Sequence, residues 1–316
     1  MNISRVVMYV ATVIGIGGLI YLFLTVDTSL VWETIRAVSA YWFTLYVLLA
    51  TLMILGFSFA WWLAISPFDT KLTFKQVFNA RMAGFSISYL TPGSRIGGEV
   101  VRASVLKNSS TSLVLASSVI EKIGILLSST LLVFLGILLF PLLFTSVSFW
   151  WSLLPIAILL LLSMYVFRRE RSLIDSVFTW VEDTSLIPDT YNEDINTFRT
   201  QFTTYFRERT DVLGRVIIVI LGCKVLLVAQ LYVLLLAFGM SASLLTALYF
   251  AIIIEIAYGI PSYMGLGFLE GGYTSFGTVV SVTSSVALGI SLLIRMRDIL
   301  ASVYGVIILA LGSYYE

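Results

Sequence analysis

The sequence contains no histidine and a single cysteine, Cys223. Without histidine, the chain lacks the commonest general base and the commonest metal ligand of proteins. One thiol can form neither an internal disulfide nor a cysteine-cluster metal site. These absences argue against most hydrolases and metalloenzymes, and we expect neither a metal nor a cofactor.

Charged residues are also scarce. They make up 12% of the 316 residues, whereas 59% are hydrophobic and the mean hydropathy is +0.99. This composition lies far outside the range of soluble domains. The net charge of +1 gives no reason to expect a nucleic-acid partner. The chain is therefore predicted to be a multi-pass membrane protein.

Long apolar runs predict the membrane-spanning helices, each of which needs about 20 residues. The runs are residues 6–24, 41–65, 111–140, 149–167, 212–238 and 284–312. The polar stretch 168–211 has apolar residues at helical spacing and basic residues near both ends, which predicts a cytoplasmic amphipathic helical insert. Both termini are predicted to lie on the same, cytoplasmic side. The predicted fold is an all-α polytopic membrane protein with about six full spans.

The stretch 86–107 is polar and rich in glycine, although apolar sequence surrounds it. Proline lacks an N–H group and disfavours helical backbone in the preceding residue, while glycine permits positive φ. We interpret the region 73–107 as a re-entrant hairpin that enters from the cytoplasm, which is tolerated only where it lines a polar cavity. Its predicted structural breaks are Pro92, Gly93, Gly97 and Gly98.

A second stretch, 259–277, repeats these features. Six glycines and a proline interrupt the apolar sequence, and an apolar run returns after Glu270. The region 243–282 is therefore predicted to be a second re-entrant hairpin, which enters from the outer side. Its predicted structural breaks are Pro261, Gly265 and Gly267.

Charged residues follow the first break. Glu99 and Arg102 are three residues apart, so they share a face if the chain is helical again. Flanked by Arg95 and Arg102, the free N–H groups of a new helix suit an anionic group such as phosphate. The alternative is an ordinary cytoplasmic loop whose basic residues follow the positive-inside rule.

Glu121 lies early in the apolar run 111–140. An ionisable group inside a span is costly and usually faces the bundle interior or water. Glu121 is therefore a candidate site residue, with Arg95 or Arg102 as its expected partner. The alternative is that Glu121 and Lys122 lie at the membrane interface.

The order of the predicted elements repeats. Residues 1–140 contain a span, a second span, a broken hairpin and a long span with internal charge; residues 141–316 contain the same series plus the polar insert. Because each repeat crosses the membrane an odd number of times, the second repeat must be inverted. Inverted repeats with broken helices are typical of secondary transporters, which bind substrate near the bilayer midplane.

At the two broken stretches, the sequence resembles the lysylphosphatidylglycerol synthase transmembrane-region family. This is the flippase-like domain of multiple peptide resistance factor proteins and of many bacterial and archaeal membrane proteins. The first family motif resembles Pro92, Gly93, Arg95, Gly98, Glu99 and Arg102, followed by Glu121 in the next span. The second resembles Pro261, Gly265, Gly267, Glu270 and Gly271, followed by Arg295.

The resemblance implies a protein of a prokaryotic plasma membrane. Because these 316 residues include no soluble transferase domain, the resemblance leads us to expect lipid translocation rather than synthesis, and no enzymatic activity. The expected function is a flippase or transporter for an anionic lipid, either a phospholipid or a polyprenyl-phosphate-linked sugar. The expected substrate-binding residues are Arg95, Glu99, Arg102, Glu121, Glu270 and Arg295.

We further expect Arg102 and Arg295 to converge on one anionic site, balanced by the three glutamates, because uncompensated charge at that depth is costly. One alternative is a membrane enzyme acting on a lipid phosphate, with Glu99 or Glu121 as its base. Another is a non-catalytic subunit of a lipid-modifying complex. A membrane lipid is the expected partner; a homodimer or a partner lipid-modifying enzyme is left open.

Overall fold

The computed structural model describes residues 3–91, 98–107, 109–143, 192–241, 243–260, 262 and 265–312. The predicted span 149–167, most of the insert 168–211, and the residues Pro92, Gly93, Arg95, Gly97 and Pro261 lie outside these ranges. The described elements are α1 (Ile3–Thr25), α2 (Thr28–Arg36), α3 (Ala40–Ile65), α4 (Phe74–Leu90), α5 (Gly98–Val105), α6 (Thr111–Leu143), α7 (Asn192–Arg207), α8 (Thr210–Ala237), α9 (Leu244–Gly259), α10 (Phe268–Val279) and α11 (Ser284–Gly312).

Among the described residues, three helices are long and apolar enough to cross a membrane: α3, α6 and α8. The pair α1 and α2 also qualifies if it is counted as one span, although it bends by 85°. Helix α11 has 29 residues and carries Arg295, Arg297 and Asp298 inside its apolar sequence. The all-helical membrane fold is confirmed, whereas the number of six spans stays a prediction.

The first hairpin begins at a capping box. The Thr73 hydroxyl accepts a hydrogen bond from the Gln76 backbone N–H, and the Gln76 side chain accepts one from the Thr73 N–H. Such reciprocal bonds satisfy N–H groups that a helix start leaves free. Helix α4 ends at Leu90, and Thr91 is extended, with φ −92° and ψ 137°, as a residue before proline prefers.

Helix α5 folds back closely onto α4. A Cβ atom on Gly98 would lie 2.4 Å from the Gly84 carbonyl oxygen, so only glycine permits this approach. The two short helices therefore form a hairpin within the described residues, in agreement with the predicted helix break between them.

The second hairpin consists of α9 and α10. Gly265 and Gly267 lie between them with φ of +64° and +78°, backbone conformations that favour glycine. A Cβ atom on Gly267 would lie 1.8 Å from the carbonyl oxygen of Gly15 in α1. This break therefore needs glycine both for its backbone conformation and for its close contact with α1.

Helices α3 and α8 pack along one another in opposite directions. The Ser39 N–H, just before α3, donates to the Ala237 carbonyl at the end of α8, at 3.1 Å. Further along, the Gln230 amide donates to the Leu49 carbonyl at 3.4 Å. The first hairpin follows the end of α3 and the second follows the end of α8. The open ends of the two hairpins therefore lie at opposite ends of the bundle.

Helix α7 closes the end of the bundle where α3 finishes. The buried Tyr205 hydroxyl donates to the Ala64 carbonyl at 2.8 Å, and the Phe68 ring packs against Tyr205 with ring centroids 4.9 Å apart. The apolar residues Phe202 and Tyr205 of α7 are thus buried, as is typical of one face of an amphipathic helix.

Candidate functional site

Two arginines of the first hairpin share one carboxylate. Arg81 of α4 donates through Nε to Glu121 Oε1 at 2.9 Å. Arg102 of α5 donates through Nη1 to Glu121 Oε2 at 2.5 Å. Glu121, on α6, is fully buried. Glu121 therefore faces the interior of the bundle, and its predicted pairing with Arg102 is present.

Aromatic and hydroxyl groups hold this cluster in place. The Arg102 guanidinium lies 4.6 Å from the centre of the buried Trp61 ring, a favourable cation–π position. The Trp61 indole N–H donates to the Ser117 hydroxyl at 3.1 Å, which fixes the ring. The Arg102 Nε is buried and has no hydrogen-bond partner within the described residues.

The cluster lies well inside the bundle. Glu121 is ten residues beyond the start of α6, and Arg295 is eleven residues beyond the start of α11. At ~1.5 Å per helical residue these offsets are about 15–17 Å along the two helices. Because Arg102 contacts Glu121, the short helix α5 reaches this depth.

Glu99 pairs with a different residue. Its Oε1 lies 2.7 Å from Lys122 Nζ, and the Lys122 side chain is 41% exposed. This ion pair is thus more exposed than the two that Glu121 makes with Arg81 and Arg102. It links α5 to α6 one helical turn away from the Arg102–Glu121 contact.

Glu270 and Arg295 organise the second break. Arg295 of α11 donates through Nε to Glu270 Oε1 at 2.9 Å and through Nη2 to the Gly265 carbonyl at 3.0 Å. Glu270 Oε2 accepts from the Gly267 N–H at 2.8 Å, which caps α10. The pair therefore satisfies backbone groups that the break would otherwise leave free.

A cavity of about 190 Å³ lies between the two hairpins and is lined by residues of α3, α4, α6, α8, α9 and α11. Below it is called the central cavity. Apolar side chains, such as Met53 and Phe57, form part of its wall. Its charged and hydroxyl-bearing lining residues are Arg81, Lys224, Glu255, Tyr258, Arg297 and Asp298.

The cations of the second half are paired within the cavity. Lys224 Nζ lies 2.6 Å from Glu255 Oε1, and the Ser129 hydroxyl donates to Glu255 Oε2 at 2.7 Å. Arg297 lies 2.8 Å from Asp298, whose other oxygen accepts from the Tyr258 hydroxyl at 2.5 Å. Each carboxylate is thus held by a second hydrogen bond besides its ion pair.

The formal charges of the cavity do not cancel. Its lining contains three cations and two carboxylates. Glu121 and Arg102, which are joined to Arg81, add one charge of each sign. The described residues at the central cavity therefore carry one net positive charge, in surroundings where unpaired charge is costly.

The predicted site residues that the structure describes are not part of the wall of this cavity. Arg102 and Glu121 reach it through Arg81. Arg295 lies 5.7 Å from the ring of Tyr258, which is a lining residue. Arg102 and Arg295 thus belong to separate ion-pair clusters, each with its own glutamate, rather than to the one shared site that the sequence predicts.

The lining cations were not among the predicted site residues. Lys224 and Arg297 interrupt apolar runs, which is a signal of function in a membrane span. Arg81 has no such signal, because α4 contains several polar residues. Within the described residues, no group of three His, Cys, Asp or Glu side chains is placed to hold a metal ion.

A family model described as the lysylphosphatidylglycerol synthase TM region matches residues 8–307. The chain belongs to this family. No curated protein and no solved structure matches the chain significantly. Membership agrees with the apolar helices and establishes a multi-pass membrane domain. Both ion-pair clusters and the central cavity lie within the matched range.

Proposed function

We propose that the protein transports an anionic lipid across the bilayer and binds its phosphate in the central cavity. The observation that carries this proposal is the single net positive charge at a cavity deep within the bundle. A monoanionic phosphodiester would neutralise it. The cavity wall also carries guanidinium and ammonium groups, which commonly bind phosphate in proteins.

The size of the cavity indicates what part of the lipid it holds. At about 190 Å³ it is smaller than the ~300–1,000 Å³ of pockets for drug-sized ligands. It suits a phosphate with its immediate substituents and is too small for a complete lipid. We propose that Arg81, Lys224 and Arg297 face the phosphate, while Arg102 and Arg295 position the two hairpins.

We also propose that the two halves are inverted repeats. The support is the antiparallel packing of α3 and α8 and the equivalent pairing of the short helices after each break. Glu99 of α5 pairs with Lys122 of α6, and Glu270 of α10 pairs with Arg295 of α11. An inverted arrangement lets the cavity open to either side in turn.

The inverted arrangement predicts opposite accessibility at the open ends of the hairpins. In a Cys223→Ala background, Lys71→Cys should react with a membrane-impermeant maleimide from the cytoplasmic side only. Ser241→Cys should react from the outer side only. Both positions are exposed and precede the first helix of their hairpin. Labelling of both cysteines from the same side would contradict the inversion.

An enzyme acting on a lipid phosphate is a weaker proposal. Both oxygens of Glu121 accept hydrogen bonds from arginine, which stabilises the ionised form and makes it a poor base. Glu99 is paired with Lys122 and is placed outside the central cavity. A non-catalytic subunit would leave the charged cavity without a use.

Transport is tested by removing two lining cations. In vesicles, the Arg81→Gln/Arg297→Gln variant should flip fluorescent phosphatidylglycerol at least about tenfold more slowly than the wild type, since charge-assisted hydrogen bonds contribute ~1.5–3 kcal/mol each. Arg36→Gln, on the exposed face of α2, should leave the rate unchanged. Equal rates in all three proteins, at equal amounts of folded protein, would contradict the proposal.

A further inference from the structure

A second, larger concavity lies between α6, α8 and α9. Its volume is about 750 Å³, and its wall is almost entirely apolar. It is called the lateral groove below. Leu131, Leu135 and Val225 line it and are 52%, 41% and 69% exposed, respectively. In a membrane, this groove would open to the hydrocarbon of the bilayer.

One charged residue connects the lateral groove to the central cavity. Lys224 lines both, and the described residues of the groove include no other charged side chain. Its Nζ is bonded to Glu255, a residue of the cavity wall. The Lys224–Glu255 ion pair therefore lies at the boundary between an apolar space open to the membrane and a polar space inside the bundle.

We propose that the lateral groove binds the hydrocarbon chain of the anionic lipid whose phosphate enters the central cavity. The Lys224–Glu255 pair is the gate between the two spaces. This inference rests on the proposed function and deepens it by assigning a chain-binding site and an entry route. The occupant is one lipid molecule with its head group inside and its chain outside the bundle.

The Lys224–Glu255 ion pair is suited to act as a gate, because Lys224 can exchange Glu255 for another anionic partner when the pair separates. Its charge is then never left unpaired. A phosphate arriving from the groove can replace Glu255 as the partner of Lys224. Glu255 retains the hydrogen bond from the Ser129 hydroxyl, at 2.7 Å. The cost of separating a buried ion pair is thereby reduced. A zwitterionic head group would bring its own cation and would compete less well for Lys224.

The groove is tested by photo-crosslinking in nanodiscs. The probe is phosphatidylglycerol with a diazirine in its acyl chain, and phosphatidylcholine with the same chain serves as the reference. Crosslinks mapped by mass spectrometry should concentrate on the groove faces of α6 and α8. The anionic probe should label them at least about tenfold more than the zwitterionic one, equivalent to ~1.4 kcal/mol.

Two glycines of α8 provide a matched pair of variants. A Cβ atom on Gly222 or on Gly214 would meet no atom within 4 Å, so both positions tolerate a side chain. Gly222 lines the lateral groove, whereas Gly214 does not. Gly222→Trp should fill the groove and abolish the crosslinks, while Gly214→Trp should preserve them.

The neutral variant Lys224→Gln/Glu255→Gln tests the gate. It should remove the preference for the anionic probe while the groove still accepts chains of both lipids. Crosslinks spread evenly over the outer surface, or unchanged by Gly222→Trp, would overturn the proposal. If the Gly222→Trp variant also flips phosphatidylglycerol at the wild-type rate, the groove assignment fails while the proposed transport stands. Absence of flipping by the wild type would instead contradict the proposed function itself.

Discussion

Replacing Glu121 with glutamine should destabilise the protein by about 3–5 kcal/mol, the cost of breaking a buried ion pair from one side. Glu121 is fully buried and is bonded to both Arg81 and Arg102. Without its charge, two buried guanidinium groups would face each other with only a neutral amide between them. Thermal unfolding in detergent should show a large decrease in Tm.

A double substitution tests whether the loss of stability comes from the unbalanced charge or from the altered side chain. Glu121→Gln/Arg102→Gln restores the original net charge of the cluster and should recover part of the lost stability. Asp211→Asn is the surface control, because Asp211 is 62% exposed and pairs with Arg215 at 2.6 Å. That pair should contribute less than about 1 kcal/mol. Equal Tm values for the wild type and Glu121→Gln would show that the arginines are not held by this carboxylate.

Much of the fold can be predicted from the sequence because only a few backbone structures are stable in a bilayer. Backbone groups in hydrocarbon must be paired, so apolar runs become helices whose ends lie where polar residues appear. Helix α11 has the predicted bounds, and α4 begins one residue after the predicted Thr73. The breaks also follow from local chemistry, since Thr91 is extended before proline and Gly267 has positive φ.

The site is less predictable because the residues that form its ion pairs come from distant parts of the chain. The Glu121–Arg102 pair could be anticipated, because Glu121 is a charged residue in the span that directly follows the first hairpin. Lys224 and Glu255, in contrast, lie 31 residues apart on two helices, and nothing in either helix alone specifies the other as its partner. Which charges face one cavity depends on how each helix is rotated about its own axis. In helices that are apolar on all sides, the sequence does not indicate this rotation, and packing against neighbouring helices determines it.

Replacing Gly267 with alanine should destabilise the second hairpin by well over ~2 kcal/mol, for two independent reasons. Its φ of +78° is strained for any residue with a Cβ atom, at a typical cost of ~1–3 kcal/mol. The new Cβ atom would also lie 1.8 Å from the Gly15 carbonyl oxygen, which belongs to the backbone of α1 and cannot rotate away. Tm in detergent should therefore decrease strongly.

Gly271→Ala is the matched control, because it makes the same change four residues later in α10. A Cβ atom there would meet no atom within 4 Å, and alanine in a helix is more favourable than glycine by ~0.5–1 kcal/mol. Its Tm should be unchanged or higher. The Gly267 N–H donates to Glu270, which in turn holds Arg295. Displacement of this segment in Gly267→Ala should thus also slow lipid flipping. If Gly267→Ala is as stable as Gly271→Ala, the close contact between this break and α1 does not exist in the membrane.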